Sequence, residues 1–175
     1  MRAALTHEDV EALEGHRSPA EHREIATTLL AWAEDVHPDD EPTTAELLAA
    51  AGWQHDLAGD TDGALAVFRR AQAAEGQTYP DVRVPMVAVL LAADRVEEAR
   101  AVADELRRSS PGVGDCAMAA EVYELAGDLP QAHRWTAMGI TRAELLADDE
   151  LDEQELARLT SVRSRVRLAL GMPTD

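Results

Sequence analysis

The chain has 175 residues, which is enough for one domain with a substantial core. Its 34 acidic and 16 basic residues give a formal net charge of −18, which repels the phosphate backbone that a nucleic-acid-binding protein must attract. Every basic residue is an arginine, which excludes lysine-dependent chemistry such as a phosphate-binding loop or a Schiff base, and the lack of lysine beside abundant alanine is typical of a GC-rich bacterial coding bias.

Nine helices are predicted in chain order from their capping residues. A side-chain oxygen at the first position accepts from a free backbone amide, and an acid or amide three residues later reaches back. This pattern occurs at Ser18, Thr43, Asp94, Asp128 and Asp152, with weaker versions at Thr6, Asp60 and Thr78. The helices are expected near residues 7–15, 19–36, 44–58, 61–75, 80–93, 95–109, 115–126, 129–147 and 152–170. No segment alternates apolar and polar residues for long enough to predict a strand, so the expected fold class is all-α.

The predicted helices follow an internal repeat of about 34 residues. Its recurring side chains are Gly52, Gly59, Ala64, Phe68 and Ala71, then Ala99, Ala103, Leu106 and Pro111, then Tyr123, Gly127 and Ala132. Small residues let the two helices of a hairpin cross closely, and large ones fill the gaps between hairpins. The spacing resembles the tetratricopeptide repeat (TPR) family. The resemblance implies a TPR-like α-α superhelix of antiparallel helical hairpins.

The repeat also predicts how the chain is organised. We expect a single helical-repeat domain over residues 1–175, with a degenerate N-terminal hairpin at 5–42 and three TPR-like repeats at 43–142. Pro85 should bend or delay the first helix of the second repeat. The third repeat has Thr136 and Gly139 where the family prefers phenylalanine and alanine.

The last predicted helix, within residues 150–171, has the pattern of a capping helix. Its apolar stripe consists of Leu156, Leu159, Val162, Val166 and Leu170. Such a stripe can cover the open apolar end that a repeat array would otherwise expose. The tail also resembles the end of actinobacterial TPR proteins that are sometimes linked to a SEC-C zinc motif, but this chain has one cysteine and lacks that motif.

The family resemblance implies a binding surface. TPR arrays bind ligands along a concave face formed by the first helix of each hairpin, and the matching positions select Glu46, Trp53, Asp56, Glu121 and Glu124. We therefore expect an acidic groove that binds a basic or amphipathic segment of another protein or peptide, and no enzymatic activity. Two positions are open for the tryptophan, in the groove or packed between hairpins. The two later glutamates are expected on a solvated helical face, where charge reversal should leave folding almost unchanged.

Self-association is a second hypothesis, in which another copy of this chain covers the same surfaces and forms a homo-oligomer. An enzyme or metalloprotein is a third. His55 beside Asp56 reads as a surface histidine, and Cys116 reads as core packing. Neither His16 with His22 nor His37 with the acids after it has the i,i+4 spacing of paired metal ligands. We predict no cofactor and no metal.

Two charged clusters have structural interpretations. The acidic run at residues 148–153 lacks the glycine of a calcium loop and is expected to be a solvated helix start. The last helix contains the arginine cluster of the chain, Arg158, Arg163, Arg165 and Arg167. These arginines are expected to pair with surplus carboxylates rather than to bind an anion.

The start of the chain bears on location. It has no apolar signal core before the first acidic residues, and the lone cysteine cannot form an internal disulfide. No apolar run approaches the roughly 20 residues that span a bilayer. We therefore expect a cytoplasmic protein without a membrane partner.

Overall fold

The computed structural model describes residues 2–13, 15, 17–147 and 151–173. These residues form nine helices and no strand, so the all-α prediction is confirmed for the described chain. The helices are α1 (His7–Glu11), α2 (Pro19–Glu34), α3 (Thr44–Leu57), α4 (Thr61–Ala73), α5 (Arg83–Ala92), α6 (Val96–Arg108), α7 (Val113–Leu125), α8 (Leu129–Ala143) and α9 (Glu153–Ala169). None of them is both long and apolar enough to cross a bilayer.

The chain divides into two compact units, Met1–Val89 and Leu90–Asp175. In the first unit α3 packs against both α2 and α4. The close approach of α3 and α4 depends on Gly52, because a Cβ there would lie 2.5 Å from two carbon atoms of the Phe68 ring. Phe68 itself is completely buried. The hairpin predicted from these small and large side chains is therefore present.

In the second unit α9 packs against the α7–α8 hairpin. Leu159, Val162 and Val166 of α9 are completely buried, whereas Leu170 at the end of the predicted stripe is 37% exposed. Gly139 of α8 makes room for this contact, since a Cβ there would lie within 3.0 Å of both Leu159 methyl carbons. The departure from the family preference at this position thus has a physical reason.

Most predicted helix starts carry the expected caps. Ser18 and Thr43 form capping boxes with the glutamates three residues later. Asp128 and Asp152 accept from the backbone amides of α8 and α9. These bonds satisfy amides that have no partner inside the helix, which is why the sequence signal located the helix starts so closely.

The cap predicted at Asp94 is wrong. Asp94 has a φ of 59°, a left-handed conformation, and its amide donates to the carbonyl oxygen of Leu91 at 3.1 Å. It therefore ends α5 in the way that a glycine often does. The following helix begins after Arg95, which makes no side-chain capping bond. Asp94 ends one helix instead of beginning the next.

Two helices are shorter than predicted at ends that matter below. α1 ends at Glu11 instead of residue 15, and it is followed by a turn and by Gly15 at a φ of 136°. α5 begins at Arg83 rather than near residue 80, which places Pro85 in its first turn. Proline is tolerated in a first turn because the amide that it lacks would have no helical partner there.

Candidate functional site

Trp53 lies on the outer face of α3 and is 39% exposed. One edge of its ring meets Phe68, with the ring centroids 5.9 Å apart and the ring planes at 85°. Edge-to-face is a preferred geometry for two aromatic rings and contributes roughly 0.5–1.5 kcal/mol beyond the area that they bury. Part of Trp53 therefore packs on the hairpin core while another part of its ring is open to solvent. The side chain combines the two positions considered from the sequence, packed against a hairpin and exposed in a groove.

An open cavity of about 400 Å³ adjoins Trp53 in the first unit. The side chains around it are predominantly apolar. They come from α1 and the turn after it, from α2 and from α3, and include Val10, Leu13, Leu29, Ala50, Trp53, Gln54 and Leu57. Leu57 stands at the edge of the cavity with 53% of its surface exposed. The sequence did not predict this cavity, because it depends on how early α1 ends.

Asp56 lies one helical turn after Trp53, and side chains three residues apart share a helix face. Its carboxylate is half-buried, and burial raises the pKa of Asp56 above its ordinary value. Within the described part of the chain this carboxylate has no hydrogen-bond or ion-pair partner. A partly desolvated carboxylate without a cation beside it favours an incoming positive charge.

Glu46, by contrast, is already engaged in the first turn of α3. Its Oε2 accepts from both the amide and the hydroxyl of Thr43 at 2.8 Å. Its Oε1 lies 3.8 Å from Nε2 of His7 in α1. The role of Glu46 in this structure is to cap its own helix, and its role in binding stays a prediction.

Glu121 and Glu124 lie on α7 in the second unit, and both are paired with arginines of α9. The guanidinium of Arg158 donates to both carboxylate oxygens of Glu121 at 2.5–3.0 Å. Arg165 binds Glu124 in the same forked manner at 2.7–3.3 Å. The hydrogen bond with Glu124 raises the pKa of the Arg165 guanidinium. Our expectation of a purely solvated face at these two positions is wrong, because α9 covers one side of it.

Arg158 and Arg165 are thus paired with carboxylates, as we expected for the arginine cluster. Two bidentate pairs, together with the buried apolar stripe of α9, hold this helix on α7. Of the five candidate binding residues, Glu46, Glu121 and Glu124 have partners within the chain. The structure leaves Trp53 and Asp56 together on one face of α3.

Comparison with protein families bears on what such hairpins do. The family model described as Tetratricopeptide repeat matches residues 57–120, from the end of α3 into α7. This segment of the chain is similar to tetratricopeptide repeats. No curated protein and no solved structure gives a significant match. Tetratricopeptide repeats are typical of protein-interaction scaffolds that have no catalytic activity of their own.

The tetratricopeptide match starts directly after the open face of α3. Trp53 and Asp56 precede it by four residues and one residue respectively, on the helix whose last residue, Leu57, begins the match. Glu121 follows the last matched residue. The matched segment identifies the hairpin type, while all five candidate binding residues lie outside it.

Two histidines in the first unit have structural partners that the sequence did not reveal. Nδ1 of His22, which is buried on α2, lies 2.6 Å from Oε1 of Gln54 on α3. Nδ1 of His55 lies 2.9 Å from Oδ2 of Asp60, the residue that caps α4. His55 is therefore held by a neighbour and is not the free surface histidine that we expected.

Gly63 is the one sequence signal that points to the pair of His55 and Asp60. A Cβ at Gly63 would overlap the Asp60 carboxylate and lie 2.8 Å from Nδ1 of His55. A glycine inside the first turn of a helix is otherwise unfavourable. Its presence there indicates a close approach of other groups.

Reactive chemistry finds little support in the described residues. Cys116 is completely buried, and burial raises the pKa of its thiol to about 12, so the nucleophilic thiolate is not formed near neutral pH. No group of three or more histidine, cysteine, aspartate or glutamate side chains converges there as a metal site would require. Of the metal candidates named from the sequence, His16 and residues 148–150 lie outside the described residues.

Proposed function

We propose that this protein is a scaffold that binds a basic or amphipathic segment of another protein at Trp53 and Asp56. The observation that carries the proposal is the pairing of an exposed tryptophan, packed edge-to-face on Phe68, with a half-buried carboxylate that has no partner among the described residues. Tryptophan is one of the residues most often found at the energetic centre of protein interfaces.

The charge of the chain supports a positively charged partner. At −18 the protein attracts basic segments from a distance, and that attraction increases the rate of association. At the site, a lysine or arginine can pair with Asp56 and also lie over the face of Trp53, a geometry in which a cation is attracted by the ring. The affinity should fall as salt rises, since exposed charges are screened beyond roughly 8 Å at physiological ionic strength.

The test is photo-crosslinking from the proposed site in the native cell. A photoreactive phenylalanine analogue replaces Trp53, and the same analogue replaces Leu125, which is 88% exposed on α7, as the control position. The protein fragments attached at each position are then sequenced by mass spectrometry. We expect position 53 to yield a fragment rich in lysine or arginine that position 125 does not yield.

A charge variant then shows whether the carboxylate is responsible. Asp56→Arg should abolish the crosslink at position 53, whereas Glu24→Arg, a change of the same kind at an exposed residue of α2, should preserve it. If the crosslinked fragments are acidic or neutral, or if Asp56→Arg leaves the yield unchanged, the proposed binding site is wrong.

Self-association is a second candidate function, and a different observation favours it. The end of α9 and the residues after it expose Leu168, Leu170 and Met172, next to arginines at positions 163, 165 and 167, of which Arg165 is already paired with Glu124. This chain therefore contains one segment with the chemistry that the site should bind. Light scattering across a hundredfold concentration range distinguishes the two functions, because a scaffold for another protein keeps the mass of a single chain.

A further inference from the structure

The early end of α1 opens the cavity beside Trp53. α1 has 5 residues, whereas α3 has 14 and α7 has 13. The helix ends at Glu11, Leu13 and Gly15 of the following segment line the open space of about 400 Å³, and Ala50, Trp53 and Leu57 of α3 face it.

We propose that this cavity receives one large apolar side chain, such as leucine, of the basic segment that binds at Trp53 and Asp56. The inference rests on the proposed function and adds the second half of the recognised pattern. The volume lies at the lower end of the roughly 300–1,000 Å³ found for sites that enclose small ligands. That space suits one branched or aromatic side chain and the backbone beside it.

The charge around the cavity determines which apolar segment fits. α1 carries the exposed acids Glu8 and Glu11 near Val10, which lines the cavity, while Asp9 is engaged in the capping box of Thr6. On α3 the 100° step per residue places Asp56 on the other side of Trp53 from Ala50 and Leu57. Two arginines lie nearby: Nε of Arg17 donates to the carbonyl oxygen of Leu13, which lines the cavity, at 3.3 Å, and Arg23 donates to the carbonyl oxygen of Ala58. An apolar side chain flanked by acids is best matched by a segment that carries its own positive charge.

Helix geometry sets the spacing within that segment. Side chains three apart on a helix, such as Trp53 and Asp56, are separated by about 5–6 Å at their Cβ atoms. An extended peptide advances about 3.3 Å per residue, and its alternate side chains share a face. An extended ligand should therefore carry its apolar residue and its arginine or lysine two positions apart.

Nuclear magnetic resonance on the full chain tests the proposal, using two synthetic peptides of seven residues. Both peptides contain one arginine, and they differ only two positions before it, where one has leucine and the other serine. The reporter is the indole N–H signal of Trp53, which is assigned by its loss in Trp53→Phe. Trp32 and Trp135 supply the two internal reference signals.

We expect both peptides to move the Trp53 signal, with the leucine peptide binding about tenfold or more tightly, as burial of one leucine side chain predicts. Ala50→Leu fills the cavity and should reduce that advantage to about twofold or less. Ala66→Leu makes the same change on the exposed face of α4 and should preserve it. Leu57→Ala removes one exposed wall without affecting the core and should also reduce the advantage.

Each other outcome overturns the proposal in a distinguishable way. Equal affinity of the two peptides, or a leucine advantage that survives Ala50→Leu and Leu57→Ala, rejects the cavity and leaves the proposed function standing. No movement of the Trp53 signal with either peptide rejects both. A signal that moves with protein concentration alone, and stops moving in Leu168→Ser, identifies a second copy as the occupant and overturns the proposed partner.

Discussion

Reversing the charge of Glu121 should destabilise the second unit, contrary to what the sequence led us to expect. In the folded protein this carboxylate receives a forked pair of hydrogen bonds from Arg158 of α9. Glu121→Arg removes the attraction and places two guanidinium groups against each other. Because α9 buries three apolar side chains on the same hairpin, weakening its attachment affects more than the surface.

The degree of exposure sets the size of this effect. The Glu121 side chain is 25% exposed and that of Arg158 is 45% exposed, so solvent screens the pair in part. Pairs of this kind contribute roughly 0.2–1 kcal/mol, and like charges at the same spacing cost a similar amount. The reversal should therefore lower the free energy of unfolding by about 1–2 kcal/mol. For a chain of this size that corresponds to a fall of roughly 2–8 °C in Tm.

A charge-swap cycle measures this contribution directly. The cycle consists of wild type, Glu121→Arg, Arg158→Glu and the double variant. Each of the four proteins is unfolded in urea at low and at high salt. The double variant should recover most of the stability that either single variant loses, and all differences should shrink at about 1 M salt, where charges are screened within 3 Å. If the double variant is no more stable than the sum of the single changes predicts, the ion pair does not hold α9.

Three further predictions concern packing, capping and titration. Gly52→Ala should destabilise the first unit by about 1–2 kcal/mol in urea unfolding. The new Cβ would overlap the buried ring of Phe68, and this strain exceeds the roughly 1 kcal/mol of helix propensity that alanine gains. A variant as stable as wild type, or more stable, would contradict this packing. Leu159→Ala should cost about 2–5 kcal/mol and increase binding of an apolar dye, and unchanged unfolding would show that α9 is not a cap. Burial raises the pKa of Asp56, so the contribution of this carboxyl to stability falls as pH rises from the pKa of the unfolded chain through the raised pKa of the folded protein. Asp56→Asn does not titrate, so the stability of this variant relative to wild type should be greater at about pH 7 than at about pH 4. A difference that stays constant with pH would show that the carboxylate is not desolvated.

The sequence located the helices well because their signals are local. A capping box such as that of Thr43 involves four consecutive residues, and the recurring small side chains mark where helices cross. The same reasoning failed at Asp94, where an aspartate that resembles an N-cap takes a left-handed conformation at the end of the preceding helix. Both roles are open to aspartate, and the local sequence does not distinguish them.

The candidate site was harder to predict because it depends on where the neighbouring helix α1 ends. Trp53 and Asp56 were selected from the repeat alignment, but the cavity beside them arises from the early end of α1. Glu121 and Glu124 were selected with equal reason, yet arginines about 40 residues later in the sequence neutralise them. Contacts over such distances follow from how whole helices pack, and the repeat pattern contains no information about them.

The manner in which α9 is attached has a use in protein engineering. Its two forked arginines are seven residues apart, two helical turns, and they match two carboxylates three residues apart on α7. A terminal helix that is attached by two such ion pairs can be transferred to another protein. Installing glutamates at the equivalent positions of another helical hairpin, with a small residue where Gly139 admits Leu159, should let the same helix close a designed array of chosen length.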